Sequence, residues 1–71
     1  MPPRCLSFSN SGTLLAVGLK CGTVVLLEYP SLAKVAEKRE HKTPVNDVRF
    51  SPDDATLAAA YDGDGGLDFY R

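Results

Sequence analysis

The sequence predicts an all-β fold of one complete four-stranded antiparallel unit followed by three strands of a second. Three observations predict it. First, Phe8-Ser9 is followed by Leu15-Ala16, and Phe50-Ser51 by Leu57-Ala58, at a common offset of 42 residues. Unrelated segments of this length share about one identity by chance at average composition. Four identities at one offset therefore mark an internal repeat. Second, the register around these anchors holds in kind: Leu6 matches Val48, Val25 matches Leu67, and Leu27 matches Phe69. Third, short runs of β-branched and large apolar residues are punctuated by Gly, Asn, Asp and Pro, as strands are by tight turns.

Arg4 to Ser9 read as the first strand, with Leu6 and Phe8 on either side of polar Ser7. Asn10-Ser11-Gly12 is a turn cluster, since Asn tolerates left-handed backbone and Gly adopts it freely. Leu14 to Leu19 is an apolar run of strand length, and Lys20-Cys21-Gly22 the next turn. Thr23 to Tyr29 has the composition of a buried strand. Pro30 ends it, because proline donates nothing to a ladder. Ser31 to Glu40 is contested. Leu32, Val35 and Ala36 fall at helical spacing after a capping Ser31, and Ala, Lys, Glu and Arg favour a helix locally. The repeat requires a fourth strand there, and charge suits an exposed outer strand. A strand over 33–39 is the reading kept. His41 to Pro44 is a connection. Asn46 to Ser51 repeats the first strand, Pro52-Asp53-Asp54 its turn, Thr56 to Tyr61 the second strand, Asp62 to Gly65 the next turn, and Gly66 to Tyr70 the third. The units so defined cover about 4–40 and about 44–71. A period of roughly 40–45 residues is that of propeller blades.

Composition narrows the function. With 44% hydrophobic residues, 24% charged residues and a net charge of −1, the chain lacks the basic excess of nucleic-acid binders. Neither Leu14–Leu19 nor Thr23–Leu27 approaches the roughly 20 residues of a membrane span. Met1-Pro2-Pro3-Arg4 lacks the apolar core of a signal peptide. Cys5 and Cys21 read as reduced thiols of a cytoplasmic protein, because a small secreted scaffold carries more cysteines. Their spacing with His41 matches no compact zinc ligand pair. A 71-residue chain buries only about 60% of its unfolded surface and is marginal alone.

The stretch His41-Lys42-Thr43-Pro44-Val45-Asn46-Asp47-Val48-Arg49-Phe50-Ser51-Pro52-Asp53 resembles the start of a WD repeat. That family shows a Gly-His pair, a short connection, an apolar strand ending in Phe-Ser-Pro-Asp-Gly, then Leu-Ala-x-Gly, an Asp-Gly turn and a strand ending in Trp-Asp. The first unit is similar: Phe8-Ser9-Asn10-Ser11-Gly12, Leu15-Ala16-Val17-Gly18, Gly22-Thr23-Val24 and Leu27-Glu28. Glu40 replaces the Gly before His41, and Leu27 and Phe69 stand at the Trp positions, so the blades are divergent. The resemblance implies a partial WD-repeat β-propeller. It also implies a buried hydrogen bond between His41 and Asp62, with Tyr61 where a Ser or Thr is usual. It places Thr43, Asn46 and Tyr61 near the partner-binding face. Gly66-Leu67-Asp68-Phe69-Tyr70 is similar to blade endings in echinoderm microtubule-associated protein-like proteins. This narrower resemblance implies tubulin or microtubules as partner and a cytoskeletal location.

Other constellations carry less. Asp62, Asp64 and Asp68 resemble a calcium loop, but Leu67 stands where such a loop needs Gly, and no terminal Glu follows. Gly18 to Thr23 resembles a phosphate loop, but its Lys20 precedes the second Gly and a strand follows. Ser9 or Ser51 with His41 has no strained elbow for a nucleophile. Lys34, Lys38, Arg39 and Lys42 form a basic stretch broken by Glu37 and Glu40. It reads as a solvated edge strand, or as a contact for an acidic surface such as tubulin through Lys34 and Lys38. The expected function is a non-catalytic protein-interaction scaffold. No cofactor, metal, nucleic acid or membrane partner is expected, and completion by further blades or self-association is. The alternatives are a propeller-based enzyme domain and a fragment without independent function.

Overall fold

The computed structural model describes residues 3–63 and 66–70. Seven strands follow in order: β1 (Pro3–Phe8), β2 (Leu14–Leu19), β3 (Val24–Glu28), β4 (Lys34–Lys38), β5 (Val45–Phe50), β6 (Leu57–Tyr61) and β7 (Leu67–Tyr70). They form two antiparallel meanders, a sheet in the order β1-β2-β3-β4 and a sheet in the order β5-β6-β7. The helix that local propensity favours over 31–40 does not form. β3 offers its free edge to β4, with Leu26 opposite Ala36 and Val24 opposite Lys38, and these ladder bonds outweigh a few tenths of a kcal/mol per residue in helix propensity.

The repeated Phe-Ser pair has a physical role. Ser9 donates its N–H to Leu14 O at 2.9 Å, and its Oγ accepts from Leu14 N at 3.0 Å. Ser51 does the same with Thr56, at 2.8 and 3.1 Å. Each Ser thus closes the turn between the first and second strands of its unit. Inside these turns Gly12 N and Asp54 N bond back to the Ser carbonyls, at 3.0 and 2.9 Å. Both sit in left-handed backbone, at φ 78° and 62°. Glycine enters that region without strain, and aspartate is among the few residues that follow it.

The register corrects one expectation. Phe8, Leu15 and Leu27 stand in one row across the first sheet. The matching row of the second sheet is Phe50, Leu57 and Tyr70. Tyr70, rather than Phe69, is the counterpart of Leu27. Likewise Val24 matches Leu67, and Val25 matches Asp68. Gly18 pairs with Val24 whereas Ala60 pairs with Leu67, so the turn after β6 is one residue longer than the turn after β2. A slip of one residue exchanges the two faces of a strand. Within this turn Asp64 and Gly65 lie outside the described residues.

The core lies between the sheets. Ala16 and Val24 of the first meet Val45, Val48, Leu57, Ala59 and Tyr61 of the second, with Cys5, Leu26, Phe50 and Tyr70 packed around them. Gly18 is the point of closest approach: a Cβ there would lie 2.5 Å from Val45 Cγ1 and 2.6 Å from Cys5 Sγ. Cys5 Sγ itself donates to Val45 O at 3.7 Å, and burial raises its pKa. Both cysteines are free thiols.

A polar clasp joins the two Ser-closed turns. The Asp54 carboxylate accepts from Asn10 N at 2.8 Å, Asn10 Nδ2 at 2.9 Å and Ser11 N at 2.9 Å. Asn10 Nδ2 also donates to Ser51 O at 2.9 Å. The backbone N–H of Asn10, first, and these further donors hold the Asp54 pKa below its ordinary value.

Two outcomes follow from this packing. Gly18→Ala forces a methyl group against the stiff, fully buried Val45 and is expected to lower stability by about 1–3 kcal/mol in urea unfolding. Asp54 carries a depressed folded-state pKa, so its stabilisation is present above the unfolded pKa and lost as pH falls through the folded one. Asp54→Asn is therefore expected to be less stable than the wild type in urea unfolding at neutral pH, and the gap between the two to close as the pH falls through the folded-state pKa of Asp54.

Candidate functional site

The residues singled out in the sequence gather around the connection 39–44 and the ends of β5 and β6. The connection runs against the turn between β2 and β3. Gly22, at φ 96°, leaves room for it: a Cβ there would lie 2.3 Å from His41 O. The neighbouring Asp62 N donates to Pro44 O at 2.9 Å, fixing the other side of the connection.

His41 is partly buried and lies on Tyr61, ring centroids 4.0 Å apart. The expected bond from His41 to Asp62 is not formed. His41 Nε2 bonds Asp68 Oδ2 instead. The longer turn after β6 is the reason, since it sets the β7 register so that Asp68 faces the first sheet in the row of Val48 and Ala59. Tyr70, two residues on, shares that face. Its hydroxyl lies 2.7 Å from the Tyr61 hydroxyl and 3.5 Å from Asp68 Oδ2. Burial raises the pKa of both tyrosines, and for Tyr70 the bond with Tyr61 adds to it. His41, Asp68, Tyr70 and Tyr61 thus tie the connection to β6 and β7.

Asp62 turns outward. Its Oδ1 accepts from Asn46 Nδ2, and Asn46 Oδ1 accepts from Arg4 Nη2 at 3.1 Å. Arg4 Nη2 and Asp62 Oδ2 are 4.0 Å apart, both side chains more than 40% exposed. Arg4 is the second residue of β1, Asn46 the second of β5, and Asp62 follows β6, so this exposed trio bridges the two sheets. Of the three residues expected near a binding face, only Asn46 is exposed. Tyr61 is 6% exposed. Thr43 Oγ1 is enclosed and has no hydrogen-bond partner among the described residues.

The basic stretch is divided. A β-bulge between Leu26 and Leu27 places Lys34 opposite Leu27 and Lys38 opposite Val24. These two positions lie on opposite faces of the sheet. Lys34 Nζ pairs with Glu37 at 3.0 Å, and Arg39 reaches the other oxygen of that carboxylate. Lys38 Nζ stands 6.0 Å from the Tyr70 ring centroid, at the rim of an apolar groove of about 170 Å³ between the sheets. The signals for Arg4 and Asp54 went unused in the sequence. Asp54 occupies the position of Gly12 at the repeat offset, and a carboxylate in place of a turn glycine was the visible clue.

Residues 33–67 match the family model for the WD domain, G-beta repeat. This segment is similar to a WD repeat. The matched segment runs from the approach to β4 to the first residue of β7, so the structural unit that it covers straddles the two sheets. A curated relative is the guanine nucleotide-exchange factor SEC12 of Rattus norvegicus, 32% identical over 59 residues. The alignment takes in 83% of this chain and 14% of that protein. WD repeats are characteristically protein-interaction elements; of the exposed trio, Asn46 and Asp62 lie within the matched segment and Arg4 outside it.

The tyrosine pair gives a further test. Tyr70→Phe strands the buried Tyr61 hydroxyl, and Tyr61→Phe leaves Tyr70 with only its long contact to Asp68. An unsatisfied buried group costs about 1–3 kcal/mol, whereas removing both partners is close to neutral. The double variant is therefore expected to be more stable in urea than the Tyr70→Phe single variant. A double variant that loses the sum of both single losses would show that the hydroxyls act separately.

Proposed function

We propose that the chain is a non-catalytic protein-binding segment of a WD-repeat propeller, and that its partner is engaged at the connection end through Arg4, Asn46 and Asp62. The observation that carries this reading is the trio itself. It is exposed, it spans both repeated units, and its three side chains hold one another in place before any partner arrives. Preorganised polar groups lose less freedom on binding. The relative's name, a guanine nucleotide-exchange factor, makes a guanine-nucleotide-binding protein the first partner class to examine.

Tubulin is the second reading, favoured by the likeness of Gly66–Tyr70 to the endings of microtubule-associated blades. The opposed faces of Lys34 and Lys38 speak against a single basic patch for it.

Both readings are tested with the whole chain and three variants of confirmed circular dichroism: Arg4→Glu, Asn46→Ala and Lys34→Glu. Binding to a small guanine-nucleotide-binding protein that falls in the first two and survives in the third is the expected result. Pelleting with microtubules that falls with Lys34→Glu and is indifferent to Arg4→Glu would replace this reading by the tubulin one. Partner binding untouched by either trio variant would overturn the assignment of the surface.

A further inference from the structure

Both outward faces of the molecule are apolar, and the repeat says what each is shaped to meet. By register the outward face of the first sheet carries Leu6, 58% exposed, Phe8, the half-buried Val17, Val25 and Leu27, and Leu15, which its neighbours on that face largely cover. Phe8 is 47% exposed and stacks edge-on against Tyr29. On the second sheet the outward face carries Ala58, Ala60, Leu67 and Phe69, with Leu67 57% and Phe69 65% exposed. Contiguous exposed apolar surface of this kind marks an interaction site.

The core itself is the template. There, the row Phe50, Leu57 and Tyr70 and the row Val48 and Ala59 pack on Ala16, Gly18, Val24 and Leu26 of the first sheet. By the observed register, the outward rows Phe8, Leu15, Leu27 and Leu6, Val17, Val25 are the counterparts of that packing surface. Ala58, Ala60, Leu67 and Phe69 are the counterparts of Ala16, Gly18, Val24 and Leu26 that receive it. One chain therefore displays both halves of a joint that it already forms once internally. Charge does not oppose a second joint. Arg49 and Asp47, on the receiving face, neutralise each other at 3.2 Å, and Lys34 is paired with Glu37.

We propose that copies of this chain associate head to tail, the outward face of the first sheet in one copy seating on the outward face of the second sheet in the next. The contact is heterologous, so it propagates until it closes into a ring or continues as a filament. It lacks the clasp of the internal joint. Gly12 stands where Asp54 stands, and Pro52, without an N–H, stands where Asn10 donates. Association is thus carried by apolar burial and responds little to salt.

The test uses the 71-residue chain in sedimentation velocity and light scattering. The wild type is expected to exceed the monomer mass in a concentration-dependent way, at low and high salt alike. Phe8→Asp blocks one face, and Phe69→Asp the other. Each weakens self-association by at least about tenfold, the scale of one lost interface anchor, with unchanged circular dichroism. Leu67→Glu replaces Phe69→Asp if that variant misfolds. Mixed, the two blocked variants retain one intact face each and are expected to form a discrete one-to-one dimer. A wild type that stays monomeric would overturn the proposal and leave both faces to other units of a longer chain. Two blocked variants that fail to combine, or a blocked variant that still dimerises alone, would overturn the head-to-tail geometry.

Discussion

The contact between Val45 and Gly18 is the constraint on which the rest depends. Val45 is fully buried, and it reaches the first sheet only because Gly18 has no side chain to hold it off. That approach brings β5 against β1 and β2, and the two sheets then close face to face. Polar ties secure the joint at either end of the strands. Asp54 grips the Asn10-Ser11 turn at one end. Arg4, Asn46 and Asp62 bridge the sheets at the other. The middle is apolar and shape-determined, and the ends are charged and directional. Apolar burial supplies most of the driving force for such packing, while the ties fix how one sheet is turned on the other.

Much of this was legible in the sequence. All seven strands fall within a residue or two of their expected places, because each is bounded by residues with a backbone reason to be there: Gly12, Gly22, Pro30, Pro52. The repeated serines were visible as identities, and their role in closing turns follows from hydroxyl chemistry. Local propensity pointed the wrong way at 31–40, where the repeat prevailed. A helix of one and a half amphipathic turns gains little when its alternative is a ladder on an open strand edge.

What was not legible is register. The 42-residue offset holds through the first two strands of each unit and fails in the third, because the second unit has a longer turn. Nothing in Leu67-Asp68-Phe69-Tyr70 announces which alternate pair faces inward, since both pairs contain an aromatic residue. The consequence reaches the candidate site. With Phe69 inward, His41 would look to the turn for its acid. With Tyr70 and Asp68 inward, it finds Asp68 beside it, and Asp62 is released to join Asn46 and Arg4 at the surface. The bulge in β4 is hidden in the same way, and it sends Lys34 and Lys38 to opposite faces of their sheet.

The same one-residue difference shapes what the molecule can bind. Because Tyr70 and Asp68 turn inward, Leu67 and Phe69 must turn outward, and the second sheet presents an apolar back beside Ala58 and Ala60. Had the turn after β6 matched the turn after β2 in length, that back would carry Asp68 and Tyr70, a polar surface ill suited to receiving Phe8 and Leu6. The polar trio at the connection end and the apolar faces along the sheets are therefore two outcomes of one register. They suit different contacts. The trio is directional and bears opposite charges, as recognition of a particular partner requires. The faces are broad and nearly neutral, as stacking of like units requires. A partner held at the connection end leaves both faces free, so the two kinds of contact can coexist on one chain.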